Sequence, residues 1–210
     1  MKLVLVRHGE TLHNREGRVQ GQNDVDLTSV GNLQAEAIGV ALRTTGADAL
    51  YSSPLRRTIQ TAEPIARQLG LVVQPSSGLM ELDTGDLDGL TPREMLEQYP
   101  KFMEDWRRGA TWSKVPGGES LDNLQYRAWH AVEEISLSHS SSTVILVTHN
   151  FTIGMILCRA LAIDNSLFRR FRHALASLTT IEHVRDNWVI VGLNDTCHLD
   201  AIVGEHQGKD

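Results

Sequence analysis

The sequence predicts an α/β fold with a mostly parallel, mixed sheet. Strand-like apolar runs alternate with stretches of helical periodicity, the pattern from which parallel sheets are built. Two further runs near the C-terminus flank a short polar segment and predict an antiparallel hairpin. The chain has 210 residues, 41% of them hydrophobic, which is enough to bury a core without disulfides or metals. We therefore expect one domain over residues 1–210.

Each predicted strand is a short apolar run bounded by polar or turn-forming residues. The parallel strands are predicted at residues 2–6, 47–52, 72–74 and 143–148. The hairpin strands are predicted at residues 177–184 and 188–193, with the turn around Arg185, Asp186 and Asn187. The first parallel strand, a continuous apolar run, is expected to be buried.

Helices are predicted between these strands from apolar spacing and capping residues. Residues 28–42 repeat apolar side chains at helical spacing behind Thr28, a suitable N-cap. A second helix is predicted from Pro54, capped by Ser53, to residue 69, with Gly70 as its stop. A third is predicted to run from a Ser120 cap to residue 138.

Residues 76–118 show a less regular pattern and are predicted to form an insertion that covers a site. Short helices are expected within it at residues 92–98 and 101–108. Pro116, Gly117 and Gly118 break the chain at its end and could act as a hinge.

Composition argues against several classes of protein. A net charge of −6 and a pI near 5.8 do not favour a nucleic-acid or anionic-membrane surface. No apolar stretch suits a signal peptide or a membrane-spanning helix, so a cytoplasmic protein is expected. Cys158 and Cys197 form no metal-binding pattern and are expected to be reduced thiols. We predict neither a metal site nor a cofactor.

Polar residues follow three of the predicted strands at their carboxyl ends. Arg7 and His8 follow the first strand, His149 follows the fourth, and Arg57 lies in the first turn of the helix after the second. In open α/β sheets this edge is where ligands bind, and helix N-termini there favour anions. The topology therefore predicts that two histidines and two arginines meet at an anion site.

A phosphate monoester is the anion that suits these groups. Arg7, Arg57 and His149 could neutralise the equatorial oxygens, and a neutral His8 could attack phosphorus. The leaving alkoxide also needs a proton, which a carboxyl group can donate. The acidic stretch at residues 79–89 offers four carboxyl groups, Glu81, Asp83, Asp86 and Asp88. Glu81 leads among them, although spacing alone does not choose.

These motifs resemble the histidine phosphatase superfamily, also called the phosphoglycerate mutase-like family, over most of the chain. Residues 5–11, LVRHGET, resemble its signature, and residues 52–62, SSPLRRTIQTA, resemble the segment that carries its second arginine. Downstream of the signature, further residues match the order and spacing of the family: Asn14, Arg18, Gln20, Gly21, Asp24, Leu27, Thr28, Gly31, Gln34 and Ala35. Residues 116–120, PGGES, are similar to a segment common in the phosphatase branch. One departure is Asn150, where the family usually has glycine after the second histidine.

The resemblance implies a three-layer αβα sandwich and assigns roles at the site. His8 matches the phosphorylated nucleophile, Glu81 the proton donor, and Arg57, not Arg56, the second phosphate-binding arginine. Asn14 resembles the phosphate-contacting asparagine, and Gln20 lies where many phosphatases place a site glutamine. Thr84 and His198 are candidate specificity positions, with a structural role the favoured interpretation of His198.

The implied activity is metal-independent hydrolysis of a small phosphorylated metabolite through a phosphohistidine. Candidate substrates are phosphoserine, α-ribazole phosphate, phosphoglycerates and sugar phosphates. Cofactor-dependent mutases of the family carry a longer, more basic insertion than residues 90–115, so the phosphatase is favoured and the mutase is the alternative. A non-catalytic protein that binds a phosphorylated ligand is a second alternative. The exposed faces of the last strands leave a homodimer open.

Overall fold

The computed structural model of the protein describes residues 1–185 and 187–200. Its strands and longer helices, in chain order, are β1 (Lys2–Arg7), α1 (Leu12–Glu16), α2 (Ser29–Leu42), β2 (Ala49–Ser52), α3 (Arg56–Leu69), β3 (Val73–Pro75), α4 (Pro92–Gln98), α5 (Pro100–Arg107), α6 (Leu121–Ser138), β4 (Thr143–Thr148), α7 (Asn150–Ala160), β5 (Leu178–Val184) and β6 (Asn187–Asp195). Short 3₁₀ turns join several of them.

The six strands form one mixed sheet in the order β3-β2-β4-β1-β5-β6. The first four in this order are parallel, whereas β5 and β6 are antiparallel. Arg7 pairs with Thr148 across β1 and β4, and Ser52 pairs with Val147 across β2 and β4. This register brings the carboxyl ends of the three strands to one edge, and it confirms the predicted mixed α/β sheet.

Helices cover both faces of the sheet, so the fold is the predicted three-layer sandwich. The central strands β2, β4 and β1 are buried on both faces, as parallel strands in such layers are. On one face, side chains such as Val4 and Ile145 pack against Ile38 of α2 and Ile65 of α3. The opposite face packs against α6, α7 and the segment at residues 76–118.

The segment at residues 76–118 shares the core beneath α6 and α7. Met95 of α4 and Met103 of α5 are each only 9% exposed and join the apolar cluster on that face. Residues 83–86 pair with residues 116–119 through backbone hydrogen bonds. The Asp86 N–H donates to the Pro116 carbonyl at 2.9 Å, and the Glu119 N–H donates to the Asp83 carbonyl at 3.0 Å. A Cβ on Gly118 would lie 2.1 Å from the Asp83 oxygen, so this close approach needs glycine.

Several element boundaries differ from the predictions. Helix α3 begins at Arg56, two residues after Pro54, and Ser53 does not cap it, since Leu55 is the N-cap. Asp186 of the predicted turn lies outside the described residues, and β6 extends beyond its predicted end to Asp195. The short helix at residues 101–108 starts one residue earlier, at Pro100.

Two helices, α1 and α7, follow the first and fourth strands and were not predicted. In α7, every residue from Thr152 to Cys158 is buried, so the polar stripe that reveals an amphipathic helix is missing from that stretch. Asn150 is the first residue of this helix and does not take a positive φ. The substitution of the family's usual glycine therefore needs no unusual backbone angle. None of the helices in the described ranges combines the length and apolarity that crossing a bilayer requires.

Candidate active site

The strand ends bring His8, Arg7, Arg57 and His149 into one cluster, as the topology predicts. His8 is 3% exposed, whereas Arg57 and His149 are completely buried. The imidazole rings of His8 and His149 lie 5.2 Å apart between centroids. Two histidines and two arginines are therefore enclosed together at the sheet edge.

The His8 ring is held in one orientation and one tautomer. Its Nδ1 lies 2.7 Å from the Gly9 carbonyl oxygen, and a carbonyl only accepts, so Nδ1 carries the proton and Nε2 keeps its lone pair. The Gly9 N–H donates to the Thr61 hydroxyl at 3.1 Å, which fixes that peptide. Burial, Arg57 and Arg7 hold the His8 pKa well below its usual 6.5. At neutral pH, His8 is therefore a neutral imidazole, and within residues 1–185 and 187–200 its Nε2 has no hydrogen-bond partner.

The Arg57 guanidinium is anchored by backbone oxygens of the loop after α1. Its Nη2 donates to the Gly21 carbonyl at 2.7 Å, and its Nη1 donates to the Asn23 carbonyl at 2.8 Å. In the amide orientation that satisfies Gln20, the Gln20 oxygen accepts from Arg57 Nη1 at 3.0 Å. Burial lowers the Arg57 pKa to about 10, so the group stays charged at neutral pH. The neighbouring Arg56 points outward and pairs with Asp26.

Arg7 and His149 each retain unused hydrogen-bonding capacity inside the cluster. Arg7 donates from Nη1 to the His173 carbonyl at 2.5 Å, while its buried Nε has no partner among the described residues. His149 Nε2 lies 2.9 Å from the Ser53 hydroxyl, and its Nδ1 is likewise unpartnered within the described ranges. Burial, followed by the charge of Arg57, holds the His149 pKa well below 6.5. His149 is therefore neutral at pH 7 in the free site, so the cations that meet an arriving anion are the two arginines.

Glu81 is a buried carboxyl group, 4% exposed, held at both oxygens. Oε1 accepts from the Leu82 N–H at 2.9 Å, and Oε2 accepts from the Phe151 N–H in the first turn of α7 at 3.3 Å. The Thr152 hydroxyl lies 3.4 Å from Oε1. Burial raises the Glu81 pKa, although these N–H groups and both site arginines oppose the shift. This is the electrostatic setting of a carboxyl group that alternates between acid and base.

The other three carboxyl candidates are used differently. Asp83 accepts from the Gly85 N–H at 3.0 Å in a local turn, and Asp86 is exposed. Asp88 accepts from the N–H groups of Gly21 and Asn23, both at 3.2 Å. Asp88 therefore supports the loop whose carbonyls hold Arg57. Of the four, Glu81 is the one buried beside the arginines.

The remaining predicted residues lie around this cluster. Asn14 accepts from the Thr11 backbone N–H at 3.1 Å through its amide oxygen, which leaves its NH₂ group for a ligand. Thr84 is buried, and its hydroxyl abuts the backbone of Gly21. His198 Nε2 lies 2.9 Å from the Ala176 carbonyl, and the Ala176 N–H donates to the His8 carbonyl. His198 thus contacts the backbone segment that pairs with His8.

An ion pair that the sequence did not predict, between Arg127 and Glu119, holds the backbone around Glu81. Arg127 of α6 donates to the carbonyls of Met80 at 2.8 Å and Glu81 at 2.7 Å. It also pairs with Glu119 at 2.6 Å, and the same Glu119 oxygen accepts from the Asp83 N–H at 2.9 Å. Glu119 lies in the PGGES segment noted above, but nothing in the local pattern connects it with a residue eight positions later. The pair fixes the backbone on both sides of Glu81.

We expect Arg127→Lys to lower kcat by about 10- to 100-fold, because a lysine cannot reproduce the planar fork and small displacements of an acid are costly. The dissociation constant of inorganic phosphate should change by less than about threefold, since Arg7 and Arg57 are untouched. Steady-state kinetics and phosphate titration measure both effects. The matched control is Arg93→Lys, at an exposed pair on α4. An unchanged kcat, or an equal loss of phosphate affinity, would contradict a positioning role.

His173 predicts a pH-dependent contribution to stability. It is 5% exposed, both ring nitrogens lack partners among the described residues, and burial with Arg7 lowers its pKa to about 4. The unfolded chain takes up the proton near pH 6.5, so stability is lost as pH falls from about 6.5 to 4. His173→Leu should remove about 2 kcal/mol of the loss in unfolding free energy between pH 7 and pH 5. Urea titrations at both pH values measure it, with exposed His130→Gln as the control; equal pH sensitivity in His173→Leu and wild type would refute the assignment.

Comparison with known proteins places the chain among phosphate-handling enzymes. The family model for the histidine phosphatase superfamily (branch 1) matches residues 3–196. Phosphoserine phosphatase 1 of Hydrogenobacter thermophilus is 36% identical over 199 residues, covering 95% of this chain and 94% of that protein. A Yersinia pestis protein named probable phosphoglycerate mutase is 36% identical over 210 residues, covering 95% of each chain. The solved structure of a mycobacterial glucosyl-3-phosphoglycerate phosphatase has a TM-score of 0.86 and 30% identity, covering 93% of this chain and 99% of that one.

Proposed function

The chain belongs to the histidine phosphatase superfamily, branch 1, and is a phosphatase of small phosphorylated metabolites; from this premise we propose that it works through a phosphohistidine on His8 without a metal ion. The observation that carries the proposal is the free Nε2 of a buried, neutral His8 beside two anchored arginines and a buried carboxyl group. His8 is neutral and Arg57 is charged at neutral pH, and burial raises the pKa of Glu81, which favours the protonated acid that the first step needs.

The reaction has two steps. In the first, the Nε2 lone pair of His8 forms a bond to phosphorus, the bond from phosphorus to the ester oxygen breaks, and Glu81 gives its proton to that oxygen. In the second, the Glu81 carboxylate takes a proton from water, the water oxygen bonds to phosphorus, and the nitrogen–phosphorus bond breaks. Phosphate leaves, and both residues return to their starting states.

The charge that develops on the phosphoryl oxygens is met by fixed donors. Arg7 offers its unpartnered Nε, and Arg57 is held in place by the carbonyls of Gly21 and Asn23. His149 and the NH₂ group of Asn14 add neutral donors. Because the arginines are buried and already oriented, they stabilise the transition state with little reorganisation. These residues take the neutralising role that a divalent cation has in many other phosphatases.

Phosphoglycerate mutase is the second candidate, because the Yersinia pestis relative of that name is as similar as the phosphatase. Both activities share the phosphohistidine and differ in whether water or a phosphorylated acceptor takes up the phosphoryl group. The few basic residues at 90–115 favour water, since a mutase must hold a carboxylate-bearing intermediate. A binding protein without catalysis is disfavoured by the complete set of nucleophile, acid and cations.

The test is a phosphate-release screen with EDTA, covering O-phosphoserine, 3-phosphoglycerate, sugar phosphates, α-ribazole phosphate and an aryl phosphate. We expect turnover of at least one ester that is unchanged by the chelator. Isomerisation of 3-phosphoglycerate faster than its hydrolysis would support the mutase. Binding of phosphate without turnover of any ester would support the non-catalytic alternative, and loss of activity with EDTA would refute metal independence.

The proposal also covers the location, domain organisation and oligomeric state of the protein. We propose a cytoplasmic protein, and its net charge of −6 argues against binding to nucleic acid or to an anionic membrane. We propose that residues 1–210 act as one domain with its covering insertion. The apolar Val189, Val191 and Leu193 on the exposed face of β6 leave a homodimer open, which sedimentation equilibrium would measure.

A further inference from the structure

An apolar pocket lies directly beside the proposed acid. Its volume is about 140 Å³, and nine of its ten lining residues have apolar or aromatic side chains, the tenth being Thr84. Leu82, which follows Glu81, forms part of the wall, and so does Phe151, whose N–H donates to Glu81 Oε2. The pocket is thus bounded by the same residues that hold the proton donor in place.

The position of the acid decides which part of a substrate this pocket would receive. Glu81 must lie next to the ester oxygen that departs, so the alcohol portion extends from phosphorus toward Glu81 and its neighbours. On another side, Thr84 abuts the backbone of Gly21, whose carbonyl accepts from Arg57. The pocket therefore adjoins both the acid and the loop that anchors a phosphate-binding arginine, which is where a leaving group belongs.

The lining determines the chemistry of that leaving group. Among the described residues that form it there is no charged side chain, and its walls include Met95, Phe102, Met103 and Trp106. A carboxylate or ammonium group buried there would lose its hydration without gaining a partner. A volume of about 140 Å³ is close to that of apolar cavities that accept a benzene-sized molecule, about 150 Å³.

We propose that this pocket binds the leaving group and selects phosphate monoesters whose alcohol carries a compact, uncharged, apolar body of about one six-membered ring. The inference rests on the proposed function and narrows its substrate class. It ranks such esters above O-phosphoserine and 3-phosphoglycerate, whose alcohol portions carry charges.

The first experiment compares kcat/KM for benzyl phosphate, ethyl phosphate, O-phosphoserine and 3-phosphoglycerate with EDTA present. Benzyl and ethyl phosphate both release an alcohol, so their difference reports mainly on the pocket. Burying one methylene is worth about fourfold, and we expect benzyl phosphate to exceed ethyl phosphate by at least about 30-fold. It should also exceed both charged esters. Equal values for benzyl and ethyl phosphate, or a tenfold preference for a charged ester, would overturn the inference while leaving the phosphatase in place.

Two variants assign the preference to this pocket. Phe102→Asp places a charge in the wall and should reduce the benzyl-to-ethyl ratio of kcat/KM at least about tenfold, a ratio that does not depend on the fraction of folded enzyme. The control is Leu96→Asp, on exposed surface of α4 outside the lining. A ratio unchanged in Phe102→Asp, or reduced equally by Leu96→Asp, would overturn the inference.

The second variant produces a gain that misfolding cannot imitate. Met95→Ala removes side-chain volume from the pocket wall, so 1-naphthylmethyl phosphate should improve at least about fivefold relative to benzyl phosphate. No change in that ratio would contradict the assignment. Failure of every ester in the wild-type protein would instead overturn the proposed function, which separates the two conclusions.

Discussion

Replacing His8 with alanine is expected to lower kcat/KM at least about 10,000-fold and to abolish the acid-labile phosphoenzyme. The covalent route is lost because no nitrogen remains to form the bond to phosphorus, and water must then attack the ester directly. Rapid-quench experiments with a ³²P-labelled ester, followed by acid and base treatment, detect the intermediate. Phosphate affinity should stay within about tenfold of wild type, since Arg7 and Arg57 remain.

The control for this change is His130→Ala on the exposed surface of α6, which should keep both activity and phosphoenzyme. A second check uses thermal unfolding, because His8 is buried and its removal leaves a small cavity. If a folded His8→Ala protein still forms a phosphoenzyme with acid lability, the nucleophile is another residue, and His149 is the first to examine.

Glu81→Gln is expected to reduce kcat by about 100- to 10,000-fold while preserving phosphate binding. Glutamine keeps the shape, and its single amide oxygen can accept from one of the two N–H groups, those of Leu82 and Phe151, that now donate to separate Glu81 oxygens. It cannot give up or take a proton. The loss should be greatest for esters of poorly acidic alcohols and smaller for an aryl phosphate, whose leaving group needs less help. Steady-state kinetics on benzyl and p-nitrophenyl phosphate measure this difference.

The pH profile gives an independent readout of the same residue. The first step needs protonated Glu81, and burial raises the Glu81 pKa above its usual value of 4.5. In wild type, kcat/KM should therefore fall as pH rises through that raised pKa, and this alkaline limb should be missing in Glu81→Gln. Asp83→Asn is the matched control, because Asp83 only closes a turn with Gly85. A profile altered by Asp83→Asn and unaffected by Glu81→Gln would reassign the acid.

Much of the fold could be predicted from the residue pattern because its central strands, β1, β2 and β4, are short and apolar on both faces. Parallel strands ending in polar residues determine which residues share an edge, so the meeting of His8, Arg57 and His149 could be predicted from topology. The predicted Ser53 cap was wrong because the helix begins only at Arg56, and the Ser53 hydroxyl lies near the Leu55 N–H at 3.4 Å and His149 at 2.9 Å. The contact with His149 joins residues 96 positions apart, which no local capping rule predicts.

The features that could not be predicted from the sequence depend on burial and on contacts between distant residues. Helix α7 was missed because its residues are buried almost all round, which removes the amphipathic signal. The choice among four carboxyl groups likewise required knowledge of which one is enclosed. Arg127 and Glu119 hold the backbone at residues 80–83. These three parts of the chain are separated in sequence, and no spacing rule connects them.

The backbone closure between Asp86 and Pro116 has a consequence for how specificity can change in evolution. Because the two ends are already joined at 2.9 Å, the part of the loop that carries α4 and α5 can change in length and composition while the closing residues stay in place. Asp88 near the start of the loop must also be kept, since it accepts from the N–H groups of Gly21 and Asn23 in the segment that anchors Arg57. A transplanted loop that keeps these residues should bring a new substrate preference to the same catalytic centre, which makes this junction the natural splice point for redesign.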